Sequence, residues 1–433
     1  MTSFKNILLG LFIVLFVGAI LVFSGVINIG GTTQQKVQTN LSLWGPFPSI
    51  AMQGIITDFN NIDTYTQISY TQVLPNDLHR QLVEAIASGK GPDMVIFSNE
   101  NFLQDIDKLY VTPFATYPER TFRDTYIDGA STFLNNDGVV LYPLVVDPLV
   151  VYYNKDLLAA AKYIYPPRTW SGLNQSVPLF LKKDKTGITQ SAIALGESPN
   201  MEHFKKIFST LLLQSGVPVV SYNTDAKRYL VKLNTERSDP NKATPQEQAF
   251  LYYQSFADPT SQLYSWNKKL PEAQDAFLSG KSAFYLAPAS ELFEIQTKNP
   301  NLNFDTTAMF QPDNAVRPIT YGTIYGVGIL KNSSNLAVAY NVLGSLLGKD
   351  IVDTISKQVS LPPARRDLLQ VQPANPYAAV FFNQALQTFT WPDPDKNGTD
   401  TAFRDMIRQA ASGERDINQA LYETQNQIQS YIQ

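Results

Sequence analysis

The side chains of this sequence that lend themselves to chemistry are recognition groups rather than reactive ones. Trp44 closes the short apolar run Leu41-Ser-Leu-Trp44, just before the turn Gly45-Pro46. Ser98-Asn99-Glu100 follows the run Asp93-Met-Val-Ile-Phe97, and Asp147 interrupts the apolar stretch at residues 139–153. Ser290 and Trp391 stand in loops further on. Tryptophan joins an apolar face to a polar handle, while carboxylates, amides and hydroxyls hydrogen-bond in defined directions. A sugar asks for that combination, because it presents apolar CH faces and a rim of hydroxyls. Each residue also has a plainer use. Trp44 and Trp391 equally suit packing on their own domain, since tryptophan is often partly buried. Asp147 needs a partner if buried, so capping its own bend accounts for it as well as ligand binding does.

Reactive chemistry finds little support. There is no cysteine among 433 residues, which removes disulfides, thiolate metal sites and cysteine nucleophiles together. The two histidines, His79 and His203, are far apart in sequence, which argues against a histidine-based zinc or iron site. Neither a G-x-S-x-G elbow nor an H-E-x-x-H motif occurs. Paired carboxylates can cleave glycosides, but 38 Asp and Glu residues make chance pairs unavoidable. An exported glycoside hydrolase is therefore kept only as an alternative. No cofactor and no metal is called for. A net charge of -4 without Lys/Arg runs disfavours nucleic acid as a partner.

The elements that must position these residues alternate. Residues 41–44 read as a strand, 51–60 as a helix, 67–73 as a strand, 78–87 as a helix and 93–97 as a strand. That alternation predicts an α/β fold with a mainly parallel sheet. Ligands of such sheets bind at the carboxyl ends of strands, which puts Trp44 and Ser98-Asn99-Glu100 on one rim. Residues 139–153 predict two strands with a bend near Asp147-Pro148, where the chain crosses between two domains, because proline cannot donate to a ladder. Ser198-Pro199 reads as the start of a helix carrying the stripe Phe204, Ile207, Phe208, Leu211 and Leu212, with Gly216 past its end. Residues 319–330 alternate glycine with larger side chains, as a strand in close backbone contact would.

Residues 7–27 form an apolar run with only Lys5 charged before it. At about 1.5 Å per residue the run spans roughly 30 Å, a bilayer core. It is longer than a signal-peptide core and lacks an A-x-A site, so the expectation is one uncleaved N-terminal transmembrane helix in the lipid bilayer, with the soluble body on the extracytoplasmic side of the cell membrane. The body is secreted if the segment is cleaved. Residues 1–31 are thus anchor or signal, and 32–40 a linker.

Four segments together carry a resemblance. Ala87-Ser-Gly-Lys-Gly-Pro-Asp93, Leu149-Val-Val-Tyr-Tyr-Asn-Lys-Asp-Leu157, Ala276-Phe-Leu-Ser-Gly-Lys-Ser-Ala-Phe284 and Tyr321-Gly-Thr-Ile-Tyr-Gly-Val-Gly-Ile-Leu330 resemble, in order and spacing, motifs of the extracellular solute-binding proteins of ABC importers. The branch is that of maltose- and glycerol-phosphate-binding proteins. The resemblance implies a two-lobed periplasmic-binding-protein-like fold with a hinge, an interlobe cleft, and chain crossings near Asp147, Pro300 and Leu346. Lobe 1 would comprise 41–146 plus 301–345, and lobe 2 would comprise 147–300 plus 346–433. It implies a monomeric, non-enzymatic receptor that captures a small hydrophilic solute, a sugar or oligosaccharide first, and delivers it to an ABC permease. Tyr321 and Gly322 would face the cleft, Gly322 letting backbone approach the ligand, and Arg365 would supply a planar guanidinium. The pair Tyr152-Tyr153 is similar to that of ferric-ion receptors, yet adjacent residues of a strand point to opposite faces. The lipid-anchoring cysteine of the family is missing, and the apolar segment stands in its place. A membrane-anchored sensor or adhesin without a transport role is the other alternative.

Overall fold

The computed structural model describes residues 38–432, except residues 64 and 240; the apolar run at 7–27 and the anchor expected there lie outside the described residues. Period-two burial builds the first strand. In β1 (Thr39–Gly45) Leu41 and Leu43 are buried while Ser42 and Trp44 stay partly exposed. Helix α1 (Ser49–Ile62) buries Met52, Ile55, Ile56 and Phe59, one stripe of a 3.6-residue repeat. After β2 (Thr66–Gln72), helix α2 (Pro75–Ala87) starts on a proline, whose missing N–H costs nothing there. Every residue of β3 (Met94–Ser98) is buried, as befits a strand inside the sheet with both faces covered.

Among the described residues ten strands form one sheet. The others are β4 (Tyr142–Asn154), β5 (Lys182–Asp184), β6 (Gly187–Ile193), β7 (Ser282–Pro288), β8 (Phe304–Thr307), β9 (Thr320–Ile329) and β10 (Thr388–Phe389). They run in the order β2-β1-β3-β9-β4-β7-β6-β5, with β8 paired to β4 and β10 to β9. The helices that flank them include α3 (Trp170–Phe180), α4 (Phe204–Gln214), α5 (Pro245–Gln254), α6 (Leu336–Leu346), α7 (Lys349–Val359), α8 (Pro376–Leu386), α9 (Lys396–Ser412) and α10 (Ile417–Ser430).

Two separate hydrophobic cores make this sheet a two-lobed body. Leu41, Phe97, Val146, Ile324, Val352 and Leu369 belong to the first core. Val150, Phe208, Phe284, Phe310, Tyr321 and Phe403 belong to the second. The chain passes from one to the other inside β4, between Val146 and Leu149, and returns inside β9, between Tyr321 and Ile324. A third passage lies between Leu369 of the first core and Trp391 of the second, with α8 packed on both, Phe381 in the second core and Ala385 in the first.

Four expectations need correction. Residues 301–321, expected in lobe 1, stay with lobe 2, because β8 pairs with the far half of β4 (Phe304 opposite Asn154) and holds Phe304, Met309 and Phe310 in the second core. Conversely, Leu346 to Leu369 pack in the first core, beyond the crossing expected near Leu346. The two strands expected around Asp147 are one continuous strand. Its partner changes from β9 to β7 between Pro148 and Leu149, so the missing proline N–H falls at the exchange. Helix α4 begins at Phe204 rather than at Pro199. The Asn200 amide donates to the carbonyls of Asn267 (3.1 Å) and Leu270 (3.0 Å), which fixes the preceding segment as a loop. Gly216 does follow the helix, in the left-handed region at φ 80°. Among the described residues no helix is long and apolar enough to cross a membrane.

Candidate functional site

The seam between the lobes is built by β3, β9, the start of α4 and the segment before α9. β3 ends against β9, with Ser98 opposite Tyr325. Asn99, fully buried, splices the seam together. Its Nδ2 donates to the Tyr321 hydroxyl (3.1 Å) and the Trp391 carbonyl (3.2 Å), and its Oδ1 accepts from the Ile324 N–H (2.8 Å). Its own carbonyl accepts from the Asp393 N–H (2.8 Å). Every polar group of the side chain is thereby used within the protein.

Glu100 reaches further across. Its Oε1 accepts from the Tyr321 hydroxyl (3.3 Å) and the Thr323 hydroxyl (3.2 Å) and lies 3.1 Å from Lys206 Nζ. Lys206, in the first turn of α4, also donates to Thr323 Oγ1 (2.7 Å). Lys396 Nζ, at the start of α9, stands 3.7 Å from the other Glu100 oxygen. A first-lobe carboxylate is therefore clasped by two second-lobe ammonium groups. Burial alone would raise the Glu100 carboxyl, but Lys206, Lys396 and Lys205 outweigh it and hold the group down at about 2. Behind it, buried Lys205 bonds Asp393 (3.0 Å) and Thr399 (3.0 Å).

Asp147, on β4 opposite Thr323, accepts from the Ser290 N–H (2.9 Å) and Ser290 Oγ (2.7 Å). Here burial prevails over Lys206 and the Ser290 bonds, and the carboxyl is pushed up. Two acids of one seam are thus tuned in opposite directions. On the second-lobe side, His203 Nε2 meets Glu291 Oε1, and the Glu291 Oε2 accepts from Tyr285 (2.7 Å) and Gln274 (3.1 Å). Among the described residues one group of metal-ligating types converges, formed by Glu202, His203 and Glu291. The lobes also border an open cleft of about 570 Å³, with Ser131, Thr132 and Asn135 on one wall and Ser221, Tyr222 and Phe389 on the other. Small-molecule sites span about 300–1,000 Å³.

The residues singled out from sequence divide accordingly. Asn99, Glu100 and Tyr321 come together at the seam, with Asp147 and Ser290 beside them. Ser98 is buried and closes its own turn, its N–H donating to Asn101 Oδ1 (2.8 Å). Trp44 is half-buried against the first core. Gly322 answers a packing need, since a Cβ there would lie 2.7 Å from Thr388 Cγ2 and 3.1 Å from the Asp147 carbonyl oxygen. Two expected ligand groups face elsewhere. Trp391 is fully buried in the second core, its indole N–H donating to Ser209 Oγ (3.0 Å) and its ring stacked on Phe403. Arg365 is spent on Asp367 (3.1 and 3.0 Å) and the Leu347 carbonyl (2.9 Å). Lys206, Lys396 and Thr323 were missed. A signal for Lys206 existed, because it is a charged residue lying off the apolar stripe of α4, Phe204-Lys-Lys-Ile-Phe-Ser-Thr-Leu-Leu.

Comparison with known proteins adds the following. The family model described as bacterial extracellular solute-binding protein matches residues 46–351. A putative binding protein of Brucella abortus (strain 2308) and one of Brucella suis biovar 1 (strain 1330) are each 25% identical over 286 residues, 64% of this chain. The chain covers 64% of the length of these curated relatives. Among solved structures, the cyclic alpha-maltosyl-1,6-maltose binding protein from Arthrobacter globiformis superposes with a TM-score of 0.71 at 20% identity, covering 91% of this chain and 99% of that one. The sugar-binding protein MalE from Xanthomonas citri gives 0.70 at 18% identity, covering 91% and 97%. At such identities the likeness speaks for the fold.

Proposed function

Because this chain belongs to the bacterial extracellular solute-binding proteins, a family of binding proteins rather than enzymes, we propose that it captures a sugar or oligosaccharide between its two lobes. The observation that carries this reading is the polar seam itself, where Glu100, Thr323 and Asp147 from the first-lobe side meet Lys206 and Ser290 from the second. In the structure these groups satisfy one another, and opening of the seam would release them to a solute with many hydroxyls, each able to donate and accept. Trp44 lies at the rim of β1 as the aromatic face available to sugar CH groups. Binding of cyclic alpha-maltosyl-1,6-maltose by one protein of the same fold, and of maltotetraose by a cyclo/maltodextrin-binding protein, supports carbohydrate over other solutes.

Hinge closure around the solute and its delivery to an ABC permease belong to the same reading. The crossings in β4 and β9 are the segments about which the lobes would turn, and membership of an extracellular family supports an extracytoplasmic body. Thermal unfolding of the purified full-length protein against sugars, polyols, amino acids, polyamines and ferric ion tests the reading. A solute that binds the native state at 100 times its Kd adds about 2.7 kcal/mol. A rise in Tm with one class of oligosaccharide, lost in Asp147→Asn, is the expected result. No rise with any sugar overturns the carbohydrate assignment.

A further inference from the structure

Beside Asp147 and Ser290, on the second lobe, three metal-ligating side chains meet. Glu202 and His203 are consecutive in the loop that leads into α4, and Glu291 follows the exit of β7. One carboxylate oxygen of each glutamate and a ring nitrogen of the histidine all lie within 4.8 Å of one another.

The buried member of this group is held ready by its neighbours. Glu291 is 8% exposed, and the donors Tyr285 and Gln274 fix its Oε2 while leaving Oε1 turned toward His203. Hydrogen bonds of this kind orient metal-ligating carboxylates. A His–Glu hydrogen bond by itself would satisfy two of the three residues. The third group, Glu202, brings a further carboxylate oxygen to the same point, so that three ligand atoms converge where a single cation could bridge them.

A cavity of about 410 Å³ adjoins the group, and Glu202, Gln274 and Tyr285 line it together with Glu272 and Asp275. Two basic side chains share the wall with the three acids Glu202, Glu272 and Asp275: Lys298 pairs with Glu294 (2.6 Å) and donates to Gln274 Oε1 (2.6 Å), and Arg404 pairs with Asp400 (3.3 Å). The excess charge on the wall is negative, which draws cations in.

We propose that Glu202, His203 and Glu291 form a site for a first-row divalent cation, with Zn²⁺ the best match. Imidazole nitrogen suits zinc and its neighbours, and carboxylate oxygen completes such sites. Two histidines are not required, since one histidine and two carboxylates give three ligands. A tetrahedral ion then keeps one position for water or for an oxygen of another molecule, and the adjoining cavity has room for either. Cation binding here is independent of which solute the seam captures.

Isothermal titration of Zn²⁺ into the chelator-stripped full-length protein tests the site. The expected result is one equivalent bound, weakened at least tenfold in Glu202→Gln and in His203→Gln and unchanged in Glu272→Gln on the cavity wall. Glu202 is exposed, so its variant keeps the fold even if the histidine variant does not. No saturable uptake overturns the proposal, and so does uptake of equal affinity in Glu202→Gln.

Discussion

Glu100 shows how much one side chain decides at the seam. Its carboxylate has almost no contact with solvent, and Lys206 and Lys396 neutralise it from the opposite lobe. Removing one member of a buried ion pair strands the other, at about 3–5 kcal/mol. Glu100→Gln should therefore lower stability by that order, and Lys206→Met by less, because Lys396 still faces the carboxylate, both read from urea midpoints at pH 7. The pH dependence has a definite sign. The folded carboxyl is held at about 2, below its ordinary value of 4.5, so its contribution is complete above about 4.5 and disappears as pH falls from there toward 2. The difference between wild type and Glu100→Gln should shrink across that window; a constant difference from pH 7 to 2.5 would show that the charge is not what matters. None of this was readable from Glu100 alone. Its loop position after β3 follows from the strand pattern, but its partners lie on other elements far along the chain.

The elements were more legible than the contacts between them. Alternating glycines at residues 319–330 announce a strand with close neighbours, and Gly326 does lie where a Cβ would be 3.1 Å from Leu141, Phe133 and the Tyr142 carbonyl oxygen. Gly322 follows the same logic. A Cβ there would meet Thr388 Cγ2 at 2.7 Å, so Gly322→Ala must push β10 away from β9. Overpacking of this kind costs about 1–3 kcal/mol. Thr388→Ala removes the obstructing methyl group, and the double variant should recover part of the loss, a coupling that a double-mutant cycle in urea measures. Additive losses would place the strain on the Asp147 and Pro148 backbone instead. What sequence could not supply was direction. Trp391 satisfies its indole N–H on Ser209, a residue of α4 that nothing local to Thr390-Trp-Pro-Asp393 announces. Arg365 is different, because its partner Asp367 stands two residues away and a local ion pair was there to be read. The crossing points slipped for a similar reason. The pairing of β8 with the far half of β4 is a long-range choice, and it keeps residues 304–310 in the second lobe.

At the scale of the whole molecule, two cores are joined by continuous strands and pressed together by polar contacts. Besides Glu100–Lys206, the Asp393 N–H reaches the Asn99 carbonyl, and the Asn136 amide reaches the Thr224 carbonyl at 3.0 Å. β4 and β9 pair through the crossing, with Thr323 opposite Asp147 and Gly322 opposite Pro148, so any relative rotation must be absorbed in a few residues there. Opening the seam exposes Glu100, Lys206 and Lys396 to water without leaving them unpaired in an apolar medium. The ion pairs therefore bias the balance between open and closed forms by less than the loss of one buried partner costs. A solute shifts that balance only by its differential affinity for the two forms. The absence of native cysteine makes the motion measurable, because spin labels can be placed at will. Ile62 on the first lobe and Ile164 on the second are 86% and 84% exposed, and cysteines there leave both cores intact. Double electron–electron resonance between these labels should give one narrow distance distribution in the otherwise wild-type chain. Lys206→Met should add a population at a different separation, and the oligosaccharide that raises Tm should remove it. Identical distributions in all three samples would mean that the lobes are fixed by their shared strands, and that solute enters a preformed site without closure.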